Sequence, residues 1–540
     1  MGKTFVYNTG NPLPDPPGTL KITCGIFFDG TRNNLKNTEI RKKVQGKGEF
    51  RNISASEEER KIFEKYAKDD NSFGNDFTNV ARKYMCTERA NYSIYVEGIA
   101  TIDKADDEGG GFKYGRGKTG VVGKVRNGSQ ALAKKVVDLK KKDTESIELI
   151  VDIFGFSRGA AAARNFAYNL QKKPYPPKAY YPPVQGASRI DVDHETTEFM
   201  SVEKSWVKDG QLPEFGHFGT ALLQAGLARE LVDSMSVNVR FIGIYDTVAS
   251  YDPTCILIPS FEKKVGDLHL HQLGSPRKAV HFTAADEHRK NFSLTRFVDV
   301  DLKTGIERNF PGVHSDVGGS YNHDVMSSAE LSESGYQPDP AEGVTEREYV
   351  WLEKAYFSGS LDAFKDELIE QGWFKKDQLA IEAHWKYTLT GTRYLYRGYS
   401  FIPLHFMCDY ALPLVNEDDN CLLYSKIMAD YALNDTFLDE VKAYMKEHII
   451  EKNEKWTLKG NFKNEEEEPE AESNVEVPVA SAADRALPAI QLEEVVVTAY
   501  KSDYLLRKLK NKYLHRSAKI NTLMDTLAYS PTDDRRRMEF

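Results

Sequence analysis

Gly155-Phe156-Ser157-Arg158-Gly159 sets a serine between the apolar run Ser146 to Phe154 and the alanines Ala160 to Ala163. A serine held on a sharp strand-to-helix turn needs near-absent side chains two places before and after it. Gly155 and Gly159 meet that demand. The backbone N–H of Arg158, at the start of the helix, is then placed to receive an oxyanion, with the positive end of the helix dipole behind it. A chance pattern on a surface serine is the competing reading. The buried run before it and the alanine-rich helix after it favour a nucleophile.

A serine hydroxyl attacks poorly until a base removes its proton. Of the 12 histidines, His314 stands in Asn309-Phe310-Pro311-Gly312-Val313-His314-Ser315-Asp316-Val317-Gly318-Gly319-Ser320, where glycines permit close approach and Asp316 is a supporting acid. His281 lies inside the apolar AVHFTAAD and reads as a core residue. His217, His269 and His271 sit in polar inserted segments, and His288 and His323 lack a matched setting. The imidazole in turn needs a carboxylate to fix its tautomer. Asp246 ends RFIGIYD, and open α/β sheets carry functional groups at strand C-termini. Taken alone, Asp246 reads somewhat better as a cap or turn residue. The order Ser157, Asp246, His314 is that of the α/β-hydrolases. In FFDGTRNN, Gly30 or Thr31 is the candidate for the second oxyanion N–H, with Asp29 orienting the loop. An Asp-Gly turn without a task explains the same residues.

The elements that must position these groups follow from pattern. TLKITCGIFFDG (19–30), NYSIYVEGIAT (91–101), SIELIVDIF (146–154), SVNVRFIGIYDT (236–247), KAVHFTAAD (278–286) and LTRFVDVDL (294–302) read as strands. Residues 55–68, 75–86, 158–171 and SQALAKKVVDLKKKD read as helices. Alternation of the two predicts an α/β fold, with a mostly parallel α/β-hydrolase-like sheet covered by helices on both faces, inserted helical and loop segments, and a helical C-terminal part. The predicted division is a catalytic core over 1–345 with an insertion at about 172–235, then a mainly helical region over 346–460 packed on the core. An acidic linker over 461–490 and a small module with a basic helix over 491–540 follow. In that module EEVVVTAY reads as a strand. The helix DYLLRKLKNKYLHRSAK suits an anionic lipid surface, a docking role, or folding back on the enzyme. The insertion is either a lid or a surface excursion.

Composition narrows the function. The 540 residues are 40% hydrophobic and 28% charged, the balance of a globular chain, and a net charge of −9 argues against nucleic acid as a partner. Five scattered cysteines without a CxxC pair read as free thiols, and no zinc-type spacing occurs. Neither a metal nor a cofactor is called for. GRGKTG fails as a nucleotide loop, because Phe112 stands where the first glycine belongs. It reads instead as a mobile loop near the site. MGKTFVYNTGNPLPDPP has no apolar stretch of a signal peptide, and no run is long enough to span a membrane.

FFDGTRNN, YVEGIAT, GFSRGAAAAR, IYDTVAS and FPGVHSDVGGSY, with ADEHRKNF and YSFIPLHFMCDYAL, together resemble the phospholipase effectors of the first type VI lipase-effector family. The resemblance runs over about residues 20–415. It departs at Ala100, where a second glycine is usual, and at Tyr245, often tryptophan. It implies that Ser157, Asp246 and His314 form the triad and that acyl esters of membrane phospholipids are cleaved. It also implies synthesis in a bacterial cytoplasm without a signal peptide, export on a spike or tube component, and action in the periplasm of a target cell. A cognate immunity protein in the producer follows from it too. An esterase for soluble esters or thioesters, and a binding or cargo protein that has lost catalysis, are the alternative functions.

Overall fold

In the computed structural model the described residues are 18–518, apart from 69, 88–92, 180–190, 193–200, 251–264, 298–304, 335–342, 416–423 and 461–488, together with Arg537 and Glu539. β1 (Thr19–Phe28) and β3 (Ser146–Phe156) are rich in β-branched and aromatic residues and bury both faces over their C-terminal halves. Such strands belong at the centre of a covered parallel sheet. They pair in parallel from Thr19 opposite Ser146 to Phe28 opposite Gly155. β2 (Ser93–Val96) adds on the other side of β1. Three short strands, β4 (Lys178–Ala179), β5 (Asp191–Val192) and β6 (Ser201–Val202), form a separate antiparallel set in the insertion. β7 (Ser236–Tyr245), β8 (Lys278–Ala284) and β9 (Gly305–Phe310) complete a six-stranded parallel sheet in the order β2-β1-β3-β7-β8-β9.

Helices cover both faces. α1 (Leu35–Gln45), α2 (Glu57–Tyr66) and α3 (Asn79–Met85) follow β1; α4 (Gly109–Tyr114) and α5 (Val121–Leu139) precede β3. α6 (Arg158–Asn169), α7 (Gly216–Gln224) and α8 (Arg229–Asp233) precede β7. Alternation along β1 separates the faces. Ile26 and Phe28 enter an apolar cluster with Val125, Leu132, Phe166, Phe218 and Leu222 of α5, α6 and α7. Phe27 enters the opposite cluster, with Phe154, Phe241 and the helix Phe401–Ala411. α7, in the insertion, is therefore a structural layer on the sheet.

Several elements depart from the sequence expectation. α1 was not foreseen, because LKNTEIRKKVQ carries no apolar stripe; it is fixed by the Asn34 side chain capping Lys36 and Asn37, by left-handed Gly46, and by buried polar contacts. The sixth strand is β9, not LTRFVDVDL. Residues 294–297 are not strand, and 298–302 lie outside the described residues. The stretch 346–460, expected mainly helical, opens on an antiparallel sheet of β10 (Val344–Ala355), β11 (Leu379–Ala383) and β12 (Tyr387–Tyr396), in the order β10-β12-β11. The charges of TEREYVWLEK mask a period of two in which Val350 and Leu352 are buried. Helices Phe401–Ala411, Tyr424–Asp430 and Thr436–Met445 follow. EEVVVTAY is helical, within Ala489–Lys512; strand preference is a weak prior against a continuous 24-residue helix. That helix and the residues just after it fold back on the enzyme, with Leu505, Leu506, Leu509 and Leu514 buried in the cluster that also holds Phe27.

Candidate active site

The parallel order brings the ends of β3, β7 and β9 to one edge of the sheet, and each end carries one candidate. Ser157 follows β3 directly, with φ 60° and ψ −130°. A non-glycine residue in that region is strained by about 1–3 kcal/mol and persists only where its surroundings hold it. Here the Ser157 N–H donates to the Tyr245 carbonyl (3.1 Å) and its carbonyl accepts from Val248 N–H (3.3 Å), tying the turn to the end of β7. The two glycines are steric necessities. A Cβ on Gly155 would sit 2.7 Å from the Gly159 carbonyl oxygen, and one on Gly159 2.1 Å from that of Asp29.

Asp246 follows β7 with a left-handed φ of 41° and is fully buried. His281, in β8, shapes this turn. It accepts the Thr247 N–H at Nε2 (3.1 Å) and lies 2.9 Å from Glu307 through Nδ1, so it is the core histidine its sequence setting indicates. His314 opens the single turn α9 (His314–Gly318) after β9, released from the strand by Gly312 at φ 102°. Its ring lies against Phe156 (4.5 Å between centroids) and edge-to-face with Phe292 (5.0 Å). Its Nδ1 is 2.5 Å from Asp246 Oδ2, which fixes the tautomer and leaves Nε2 as the ring nitrogen open to a proton.

Electrostatics suit a base and its orienting acid. Burial pushes the His314 pKa below its ordinary 6.5; Asp246 opposes this, while Arg289 and Arg537 add to it. Burial would raise Asp246, but Arg537 and the His314 bond hold it well below the carboxylate range. Burial likewise opposes ionisation of Glu287, yet Arg289, Arg537 and His314 hold it at about 2. Glu287 also receives the His314 N–H, at 3.3 Å.

On the far side of Ser157, Asp29 accepts from Gly30 N–H (2.7 Å), Thr78 Oγ1 (2.6 Å) and the Tyr95 hydroxyl. Burial lifts Asp29 to about 6 against those bonds. This corrects one expectation: the Gly30 N–H is spent on its own neighbour's carboxylate. Thr31 remains. Its N–H and that of Arg158 make no hydrogen bond to a described residue. The Arg158 side chain ties the two loops together, donating to Thr31 Oγ1 (2.8 Å) and to the carbonyls of Gly111 and Phe112 (3.1 and 2.8 Å). α4, just before the GRGKTG turn read as mobile, is thus fastened to the site, with Arg32 stacked over Phe112 at 3.7 Å. Asp316 accepts from Val313 N–H (3.0 Å) and meets His515 of the C-terminal segment.

Sequence reasoning missed Arg537, Glu287, Arg289, Phe292 and His515. The ADEHRKNF stretch did flag three of them; nothing in DDRRRMEF distinguishes one arginine. Among the described residues no cluster of His, Cys, Asp or Glu could hold a metal. Cys24, Cys86 and Cys408 are buried thiols outside any disulfide; Cys255 and Cys421 lie outside the described residues.

A strained serine, a buried Asp–His pair and two open N–H groups at one sheet edge are the parts of an acyl hydrolase. The family model for the type VI secretion phospholipase effector Tle1-like catalytic domain matches residues 25–334, more than half the chain. The chain belongs to the Tle1-like phospholipase effectors. It is accordingly a lipolytic type VI effector carrying an ester-hydrolase catalytic domain. Among solved structures it is similar to the Tle1 effector bound to the VgrG spike, at 16% identity and TM-score 0.44, covering 100% of this chain and 98% of that one. An uncharacterised protein from Pseudomonas aeruginosa is similar at 16% identity and TM-score 0.36, covering 81% and 52%. No curated protein matches. Among the described residues of this Tle1-like chain, no helix is long and apolar enough to cross a membrane.

Proposed function

We propose that this Tle1-like effector is a phospholipase A that works through a Ser157–His314–Asp246 triad and an acyl-enzyme. The observation that carries the reading is the buried hydrogen bond between His314 Nδ1 and Asp246, beside a serine held at positive φ. His314 Nε2 takes the Ser157 proton as Oγ attacks the ester carbonyl. The oxyanion forms against the N–H groups of Arg158 and Thr31. When the tetrahedral species collapses, the imidazolium gives its proton to the departing alcohol oxygen, leaving lysophospholipid free and the acyl group on Ser157. Water, deprotonated by the same nitrogen, then releases the fatty acid and restores the serine. Asp246 keeps Nδ1 protonated and stabilises the imidazolium.

Family membership supports phospholipid in the membrane of a rival cell as the substrate, reached in the periplasm. It also supports delivery on a type VI spike component and a cognate immunity protein in the producer. The test is fatty-acid release from mixed phospholipid vesicles, read by mass spectrometry, with Ser157→Ala as the control. Wild type should release fatty acid and lysophospholipid, and the variant, folded to the same melting temperature, neither. Retained activity in Ser157→Ala would remove the nucleophile. Equal rates on soluble esters below and above micelle formation, with none on vesicles, would favour the soluble-ester alternative.

A further inference from the structure

We infer that Arg537, three residues from the C-terminal Phe540, is a positioning residue of the active site, acting through Asp246. The inference rests on the triad proposed above. Its Nη1 and Nη2 donate to Asp246 Oδ1 and Oδ2 at 2.6 and 2.9 Å, a bidentate pair in which both side chains are almost wholly buried. Arg537 Nε donates to the Phe292 carbonyl, and the Phe292 ring meets His314 edge-on. The tail is held at this point: Glu539 forms an isolated parallel bridge with Leu294, and its carboxylate pairs with Arg296 at 3.0 Å.

Asp246 holds four donors in all: Arg537 twice, the Ala284 N–H at 2.9 Å, and His314. A bidentate guanidinium fixes the plane of a carboxylate as well as its charge. Without it, the buried carboxylate keeps only the Ala284 N–H on Oδ1 and His314 on Oδ2, a weaker hold on its rotation about the Cβ–Cγ bond. The lone pair facing His314 Nδ1 is then held less firmly on the ring plane. The pairing carries an electrostatic consequence, because a cation beside the acid–base pair disfavours the imidazolium. The charged groups facing His314 are Asp246 from the end of β7, Glu287 and Arg289 from the loop after β8, and Arg537 from the tail. Asp316 on its own turn is engaged by His515. Around Asp246 the further charged neighbours are His281 of β8 and, through it, Glu307 of β9.

The test uses the full-length chain, with Arg537→Ala and Arg537→Lys, assayed on a monodisperse ester between pH 4 and 9. Fluorophosphonate labelling of Ser157 and thermal melting accompany each assay. For Arg537→Ala the expected result is a kcat at least tenfold lower with KM unchanged. The acidic limb should move to higher pH, because a cation facing His314 is gone. Millimolar ethylguanidinium should recover part of the kcat. Arg537→Lys, which keeps the charge and loses the fork, should keep the limb near wild type and lose kcat. Unchanged kcat would overturn the inference. So would a higher kcat, the mark of a restraining tail. Loss of activity with no limb shift and no guanidinium rescue would also overturn it, as a folding effect. A wild-type chain that neither labels nor hydrolyses would instead refute the triad itself.

Discussion

Gly159→Ala offers a direct probe of the two oxyanion donors proposed here, the N–H groups of Arg158 and Thr31. The new methyl would lie 2.1 Å from the Asp29 carbonyl oxygen and 2.5 Å from that of Phe28. Both are backbone atoms at the end of β1, so no side chain can swing aside. Carbon and carbonyl oxygen settle at about 3.3 Å, which requires α6 and the end of β1 to part by about 1 Å. Arg158 rides on α6 and Thr31 on the loop after β1, so their N–H groups part by the same amount. A donor that begins at about 2.9 Å from the oxyanion then ends beyond hydrogen-bond reach. Loss of one such donor lowers kcat by about 10²- to 10³-fold, while the overpacking itself costs about 1–3 kcal/mol of stability. The assay is kcat on a short-chain ester beside urea denaturation. Gly109→Ala is the control, since a methyl there meets nothing within 4 Å. Gly159→Ala should be destabilised and severely slowed, with KM little altered, and Gly109→Ala should match wild type. A Gly159→Ala chain that loses stability yet keeps kcat within threefold of wild type would refute the shared-donor geometry.

Two further outcomes follow from the electrostatics. In the proposed mechanism the rate requires neutral His314, and burial with the nearby arginines lowers its pKa, so kcat/KM should rise through a limb below pH 6.5 and be flat by neutrality; a limb above pH 7 in a full pH–rate profile would contradict this. His515 is the opposite case. Burial works against its charge, but Glu346 and Asp316 overcome that and push it up to about 10. Its folded pKa exceeds the unfolded 6.5, so its stabilisation is complete below pH 6.5 and is lost as pH rises through about 10. His515→Gln should cost about 3 kcal/mol or more at pH 6, as expected for breaking a buried ion pair, and much less at pH 10. Denaturant melts of both chains at the two pH values check it, and an equal cost at both would sink the argument.

The core strands were legible in the sequence because β1, β3 and β7 sit between two layers and are largely apolar. Gly155 and Gly159 were legible because only a missing side chain lets α6 start against β1, a demand that is local in sequence. β9 was not legible, since GIERNF lies at the sheet edge, where one neighbour and partial exposure remove the need for apolar residues. α1 was hidden because its burial is bought with hydrogen bonds from Asn34 and Asn37 rather than with apolar area. The choice between Gly30 and Thr31 turned on which N–H the Asp29 carboxylate takes, a rotamer that residue types do not encode. Ala100 marks a family departure with a visible consequence, since it holds φ 74°, a conformation that suits the glycine usual there.

The family model stops at residue 334, but the support of the site does not. α9 is a single turn of five residues, too short to hold an imidazole by its own hydrogen bonds. Its brace is Asp316, which spends one oxygen on Val313 N–H and both on the N–H and Nδ1 of His515 (3.0 and 2.7 Å). Ser517 reaches the Glu287 carboxylate that also receives the His314 N–H. The segment carrying these residues is itself gripped by Arg393 of β12, which donates to the carbonyls of Lys510 (2.7 Å) and Leu514 (2.5 Å) and pairs with Glu348. The antiparallel sheet therefore holds the C-terminal helix, the helix end holds Asp316, and Asp316 holds the turn that presents His314. If His314 is the base proposed here, a five-residue turn that must place one ring nitrogen to a fraction of an ångström has reason to keep His515 and Ser517 packed against it.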